Sequence, residues 1–241
     1  MKNPQQDMAV AMREIRAVIV DLDGTMVDTL GDFEVALNRT LGALDRPPVT
    51  RADIERMVGK GSEHLITSAL VHGGLSEQAA LAALPQAWDV YQREYLAING
   101  HHSDVYPGVA EGLQAIAAMG LPMACLTNKP RAFALELLEK KGLRAHFSLV
   151  FGGDSFEKKK PDPLPLIRTC EALGTETAQT LMIGDSRNDA QAAQGAGCQI
   201  WLVPYGYNHG EPISAVEADA HVSDLLGAAS RLMGVVQGRV V

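Results

Sequence analysis

Several things are scarce in this chain, and each scarcity closes a route. Basic residues are outnumbered, 21 Lys and Arg against 29 Asp and Glu, for a net charge of −8. A nucleic-acid backbone needs a basic surface, so no nucleic-acid partner is expected. No run of eighteen or more apolar residues occurs, so no membrane helix is expected and no membrane partner. The N-terminal stretch MKNPQQDMAVAMREIR lacks an apolar segment of signal-peptide length, which predicts a cytoplasmic protein whose first fifteen or so residues form a loose or helical extension. Three cysteines, Cys125, Cys170 and Cys198, are widely spaced with no C-x-x-C pair, so they read as small core residues rather than zinc ligands. Internal repeats and low-complexity segments are missing too.

What remains is an ordinary globular composition, 46% hydrophobic and 21% charged over 241 residues, long enough for one large domain or two small ones. Short apolar runs alternate with helix-period stretches: RAVIV at the start, then LPMACL (121–126), FSLVFG (147–152), TLMIG (180–184) and QIWLV (199–203). Strand alternating with helix predicts an α/β fold with a doubly wound, Rossmann-like parallel sheet of about five strands. Between Thr29 and Asn99 the strand signal vanishes, and Leu30, Phe33, Leu37, Leu41 and Leu44 recur at helical spacing. Thr50 to Asp53 has capping-box form, and Ser76 opens a long segment that Pro85 is expected to interrupt or kink. A small all-helical cap inserted after the first strand follows: core 16–28, cap 29–101, core again 102–241, with HHSDVYPG (101–108) as the return linker.

Unusual polar residues stand where the strands end, the place where open parallel sheets bind ligands. Asp21 follows AVIV, Thr127 and Asn128 follow MACL, Asp185 follows LMIG, and Lys160 lies in the loop after the third strand. Taken singly these have plain explanations: a turn aspartate, a loop, a solvated charge run, a helix cap. Together they are coherent. Asp21 and Asp185 would repel without a cation between them, and a hard ion such as Mg²⁺ suits carboxylates. Thr127, Asn128 and Lys160 offer donors suited to phosphate oxygens, and Gly24 lets backbone N–H groups approach an anion. Alternation along an extended segment turns Leu22 away and aims Asp21 and Asp23 at one crevice.

The segments DLDGTMVD (21–28), LTNKP (126–130), KKPDP (159–163) and GDSRND (184–189) resemble, in order, the four motifs of the haloacid dehalogenase superfamily of phosphatases. Within it, TNKP, GGDSFEKKKPDP, GDSRNDAQAA and PYGYNHGEPI resemble the phosphoglycolate phosphatases. The resemblance implies Asp21 as nucleophile, Asp23 as general acid and base, and Mg²⁺ held by Asp21, Asp185 and the Asp23 carbonyl. It implies phosphoryl contacts from Thr127, Asn128 and Lys160, with Lys159 as an alternative to Lys160, and a small phosphomonoester, 2-phosphoglycolate, as substrate. Another small phosphomonoester or a sugar-phosphate mutase reaction would keep the same motifs and differ at the cap. A receiver-type signalling domain has no need of a helical insert of this length. Lys60, in the cap stretch GKGSEHL (59–65), departs from the expected small polar residue, and is expected to meet the substrate's far end, with Lys129, Arg131 or Arg187 near the crevice as the alternatives.

Overall fold

A computed structural model of the protein describes residues 14–236. The N-terminal extension expected from the sequence lies, but for its last residues, outside them. Six strands form one parallel sheet: β1 (Ala17–Val20), β4 (Met123–Leu126), β5 (Leu149–Phe151), β6 (Thr180–Gly184), β7 (Gln199–Leu202) and β8 (Ala220–His221), after the short β2 (Val27–Asp28) and β3 (Asp104–Val105). Their order is β5-β4-β1-β6-β7-β8, so β1 is central and the chain reverses its direction of winding beside it.

The sheet is buried on both faces, which is why its strands read as continuous apolar runs rather than alternating ones. Val18 and Val20 pack into a cluster with α5 (Val109–Ala118), α6 (Arg131–Lys140) and α9 (Leu225–Val236); Ile19 packs into the opposite cluster with α7 (Leu164–Leu173) and α8 (Arg187–Ala196). Leu181 and Ile183 of β6 repeat the division, with Met182 on the other face. Leu22 continues the Val18 and Val20 side, as the period of two requires.

Between β2 and β3 the chain is helical: α1 (Leu30–Ala43), α2 (Arg51–Met57), α3 (Ser62–His72) and α4 (Glu77–Ile98). This small cap has an apolar cluster of its own, built on Phe33, Leu37, Ile54, Leu65, Tyr91 and Tyr95, to which the core contributes Phe133 and Tyr207. The chain leaves for the cap through β2 and returns through β3, and the two crossings pair antiparallel, Val27 with Val105 and Asp28 with Asp104. Two-residue strands leave no periodic trace in sequence.

Pro85 lies inside α4, which runs unbroken for 22 residues; the expected interruption is not there. Pro85 and Leu81 are both solvent-exposed, so water serves the carbonyl that a proline leaves without a donor. Thr50 does cap α2: its hydroxyl accepts from the Asp53 N–H while the Asp53 carboxylate accepts from the Thr50 N–H. The Thr50 hydroxyl, which also donates to Asp53 Oδ2, and the Thr50 N–H hold the Asp53 carboxyl down at about 2. Thr50→Ala is expected to cost about 1 kcal/mol of stability, read as a fall in thermal midpoint of roughly 2–4 °C.

Candidate active site

All four strand-end groups converge. A cavity between the carboxyl ends of β1, β4 and β6 and the cap is lined by Asp21, Asp23, Thr127, Asn128, Lys160 and Asp185 from the core. Phe33, Val58 and Leu65 close it from the cap side. About 30 Å³ of it is free, room for a water or two and not for a phosphate ester. The cap thus sits down over the strand ends in this structure.

Asp21 is buried, and its neighbourhood is acidic. Oxygens of Asp21, Asp185 and Asp189 all lie within 4.8 Å of one another. Burial, with Asp189 adding to it and Lys160 opposing, pushes the Asp21 carboxyl up to about 7. Burial with the Asp189 and Asp21 charges pushes Asp185 upward too. Lys160 Nζ sits 3.0 Å from Asp21 Oδ1, but its directed bonds go to the Leu126 carbonyl at 2.8 Å and Asp189 Oδ1 at 2.7 Å. Asp21 Oδ1 is thus ion-paired without a hydrogen bond, an orphaned acceptor. Burial alone would lower the Lys160 ammonium; the Asp189 and Asp21 carboxylates outweigh it and hold it protonated.

Asp185 is fixed from behind. Thr25 Oγ1 donates to its Oδ1 at 2.7 Å and the Tyr207 N–H to its Oδ2 at 2.5 Å. Backbone approaches so closely that a Cβ on Gly24 would stand 2.3 Å from Oδ2 and one on Gly206 2.1 Å. Gly24 also takes φ +83°, the left-handed region that favours glycine. Asp189 differs from its neighbours in being spent: Oδ2 accepts from Ser186 N–H and Oγ as a helix cap while Oδ1 holds Lys160. These facts were open to sequence reasoning only in part. GDSRND shows the cap form, but not that the capping aspartate also anchors a lysine 29 residues away.

A hard divalent cation fits this donor set. Carboxylate oxygens of Asp21 and Asp185 face the cavity, one of them orphaned, and their excess negative charge has one adjacent ammonium to answer it.

The remaining expected residues fall out unevenly. Thr127 is buried; its hydroxyl accepts from the Lys129 N–H at 3.2 Å and donates to no acceptor among the described residues. Asn128 lines the cavity, yet its amide N–H groups are spent on the Gly59 carbonyl of the cap at 2.9 Å and the Lys160 carbonyl at 2.8 Å. In this closed form it clasps cap to core. Between the two lysines the geometry is plain: Lys160 points inward, while Lys159 is half-buried at the rim and pairs with Glu63 of α3 at 2.8 Å. Lys60 is exposed and does not line the cavity. Gly59 and Gly61 on either side both have positive φ, so the turn carries Lys60 outward, beside His64 and His209.

Lys129, offered by the sequence only as an alternative to Lys60 near the crevice, was not foreseen against Asp23. Its side chain is 1% exposed and its Nζ lies 2.8 Å from Asp23 Oδ1. Tyr207 was missed as well: beyond its N–H on Asp185, its hydroxyl donates to Asp28 Oδ1 at 2.6 Å and accepts from Thr29 N–H at 2.8 Å.

The family model described as haloacid dehalogenase-like hydrolase matches residues 18–203, which include every strand end just described. The chain belongs to the haloacid dehalogenase-like hydrolases. As a member of that family it is an enzyme, and its activity class is phosphatase. Among its relatives, a phosphoglycolate phosphatase of Thiobacillus denitrificans is 43% identical over 215 residues, covering 89% of this chain and 94% of its own. One from Vibrio vulnificus is 39% identical and covers 94% and 98%. Among solved structures, a predicted phosphoglycolate phosphatase from Haemophilus somnus superposes with a TM-score of 0.80 at 29% identity, over 92% of this chain and 99% of that one. No helix among the described residues of this hydrolase is long and apolar enough to cross a membrane.

Proposed function

We propose that this hydrolase is a Mg²⁺-dependent phosphomonoesterase that converts 2-phosphoglycolate to glycolate and phosphate through an aspartyl-phosphate on Asp21. The observation that carries the reading is Asp21 itself, desolvated at the end of the central strand, with an Oδ1 that has the Lys160 ammonium 3.0 Å away and no well-directed donor among the described residues. A buried carboxylate left in this state is poorly solvated and so a competent nucleophile. The substrate comes from the names of the relatives, 43% and 39% identical over nearly their whole length.

Mg²⁺ would be held by Asp21, Asp185 and the Asp23 carbonyl, and supplies charge neutralisation of the phosphoryl group. Every other role falls to the chain. Thr127 offers its free hydroxyl proton to a phosphoryl oxygen, and Lys160 keeps a positive charge 3.0 Å from the attacking carboxylate. Asn128 ties Gly59 of the cap to the core, so its amide is available to a phosphoryl oxygen only after that clasp opens. Asp23, two residues on and lining the same cavity, protonates the leaving alkoxide and then takes a proton from the water that hydrolyses the intermediate. Apolar closure by Phe33, Val58 and Leu65 keeps other water out.

The test is phosphate release from a panel of small phosphomonoesters, with and without chelator. Activity is expected to need Mg²⁺, to vanish in excess EDTA, and to fall when Ca²⁺ replaces Mg²⁺, because the larger, looser shell spoils in-line geometry. Full turnover in EDTA would remove the metal from the reading. A panel in which 2-phosphoglycolate is not among the best substrates would remove the substrate.

A further inference from the structure

Two ammonium groups line the closed cavity, and the fold uses them differently. Lys160 directs its donors at Leu126 and Asp189 and lies against Asp21. Among the described residues the Lys129 ammonium has one oxygen partner, Asp23 Oδ1 at 2.8 Å. Otherwise its Nζ faces aromatic rings, 4.5 Å from the centroid of Phe33 and 4.7 Å from that of Tyr95. An ammonium carries three donors. Ring faces attract the charge without saturating those donors, so Lys129 keeps hydrogen-bonding capacity in a nearly dry space. The lysine belongs to the core, while the rings come from α1 and α4, so the cage is assembled only when the cap is down.

We propose that Lys129 is the specificity-determining residue of this site, its ammonium binding a carboxylate that the substrate carries two bonds beyond its ester oxygen. The inference rests on the reading of Asp23 as the group that protonates that oxygen. To do so, the Asp23 carboxyl must approach it to about 3 Å. Lys129 Nζ is already 2.8 Å from the same carboxyl, so a group two bonds past the ester oxygen arrives within reach of the ammonium. Phe33, Val58 and Leu65 close the cavity from the cap and offer no charged partner, while the desolvated cation favours an anion strongly. A short 2-phosphorylated acid meets both demands. Lys60, exposed and outside the lining, meets neither while the cap is closed.

The experiment compares kcat/KM for 2-phosphoglycolate and ethyl phosphate. Both expel an alkoxide that needs the Asp23 proton, and only the first has a carboxylate. Lys129→Met keeps an apolar stem between the rings and removes the charge. The ratio of the two kcat/KM values is expected to fall by about tenfold to a hundredfold, the range of one charge-assisted hydrogen bond, with most of the loss in KM for phosphoglycolate. Equal losses on both substrates overturn the inference and make Lys129 a positioning residue for Asp23. A ratio that moves in Lys60→Met and not in Lys129→Met overturns it in favour of Lys60. Should the Met variant fail to fold, as read by its thermal midpoint, Lys129→Gln carries the same expectation. A wild-type ratio near one removes the substrate reading and this inference with it; a high wild-type ratio that survives loss of the charge removes this inference alone.

Discussion

Asp21→Asn is expected to lower turnover by at least about four orders of magnitude, some 5.5 kcal/mol of barrier, because an amide cannot take phosphorus into a productive acyl-phosphate. The same variant is expected to be more stable than the native protein in chelator. Burial and Asp189 push the Asp21 carboxyl from its ordinary value near 3.8 to about 7, so the folded state binds a proton that the unfolded state releases. Folded-state stability from this group is therefore lost as pH rises from about 4 to about 7, and stays lost above that. The thermal midpoint of Asp21→Asn minus that of the native protein should grow over that window in EDTA. Lys160 keeps Asp189 as its partner in the variant, so no buried cation is stranded. A variant that still yields a trappable acyl-phosphate would end the nucleophile assignment.

Lys160→Met should damage fold and function together. Lys160 is 3% exposed and is the one cation within 4.0 Å of the Asp21 and Asp189 carboxylates among the described residues. Removing one partner of a buried ionic cluster costs about 3–5 kcal/mol, because the charges left behind have no compensation. For a domain of this size that is a fall in thermal midpoint of roughly 10 °C, measured in chelator. Added Mg²⁺ should recover part of it, since a ligand that binds only the folded state raises its stability. Lys159→Met, which removes an exposed pair with Glu63, should change stability by no more than about 1 kcal/mol. Equal losses from the two variants would contradict the division of labour between neighbouring lysines.

Five of the six sheet strands were legible because buried parallel strands are short apolar runs between helix-period segments. The sixth, β8, is two residues long, as are β2 and β3, and no pattern can announce a strand of that length. The helical cap was legible from its spacing, but the continuity of α4 through Pro85 was not, since it depends on which side of the helix faces water. At the site, Asp21, Thr127, Lys160 and Asp185 could be picked out because each breaks an apolar strand or its loop. Thr25, Asp189 and Tyr207 could not, and Lys129 stood out only as one of several cations near the crevice. Their side chains bond to partners up to 179 residues away, as in the Tyr207–Asp28 bond, and only the fold brings them together. Lys60 illustrates the converse, a legible charge whose direction was set by the flanking glycines' backbone.

The antiparallel pairing of the two crossings, Val27 with Val105 and Asp28 with Asp104, makes them one ribbon rather than two tethers. A ribbon bends across its width and resists sliding along its length. One residue inserted in a single crossing would shift the ladder and turn Asp28 from the Tyr207 hydroxyl toward the other face. Length changes are thus tolerated inside the cap's own loops and not at its attachment. A foreign cap transplanted onto this core would seat correctly only if both of its ends arrived in the same register.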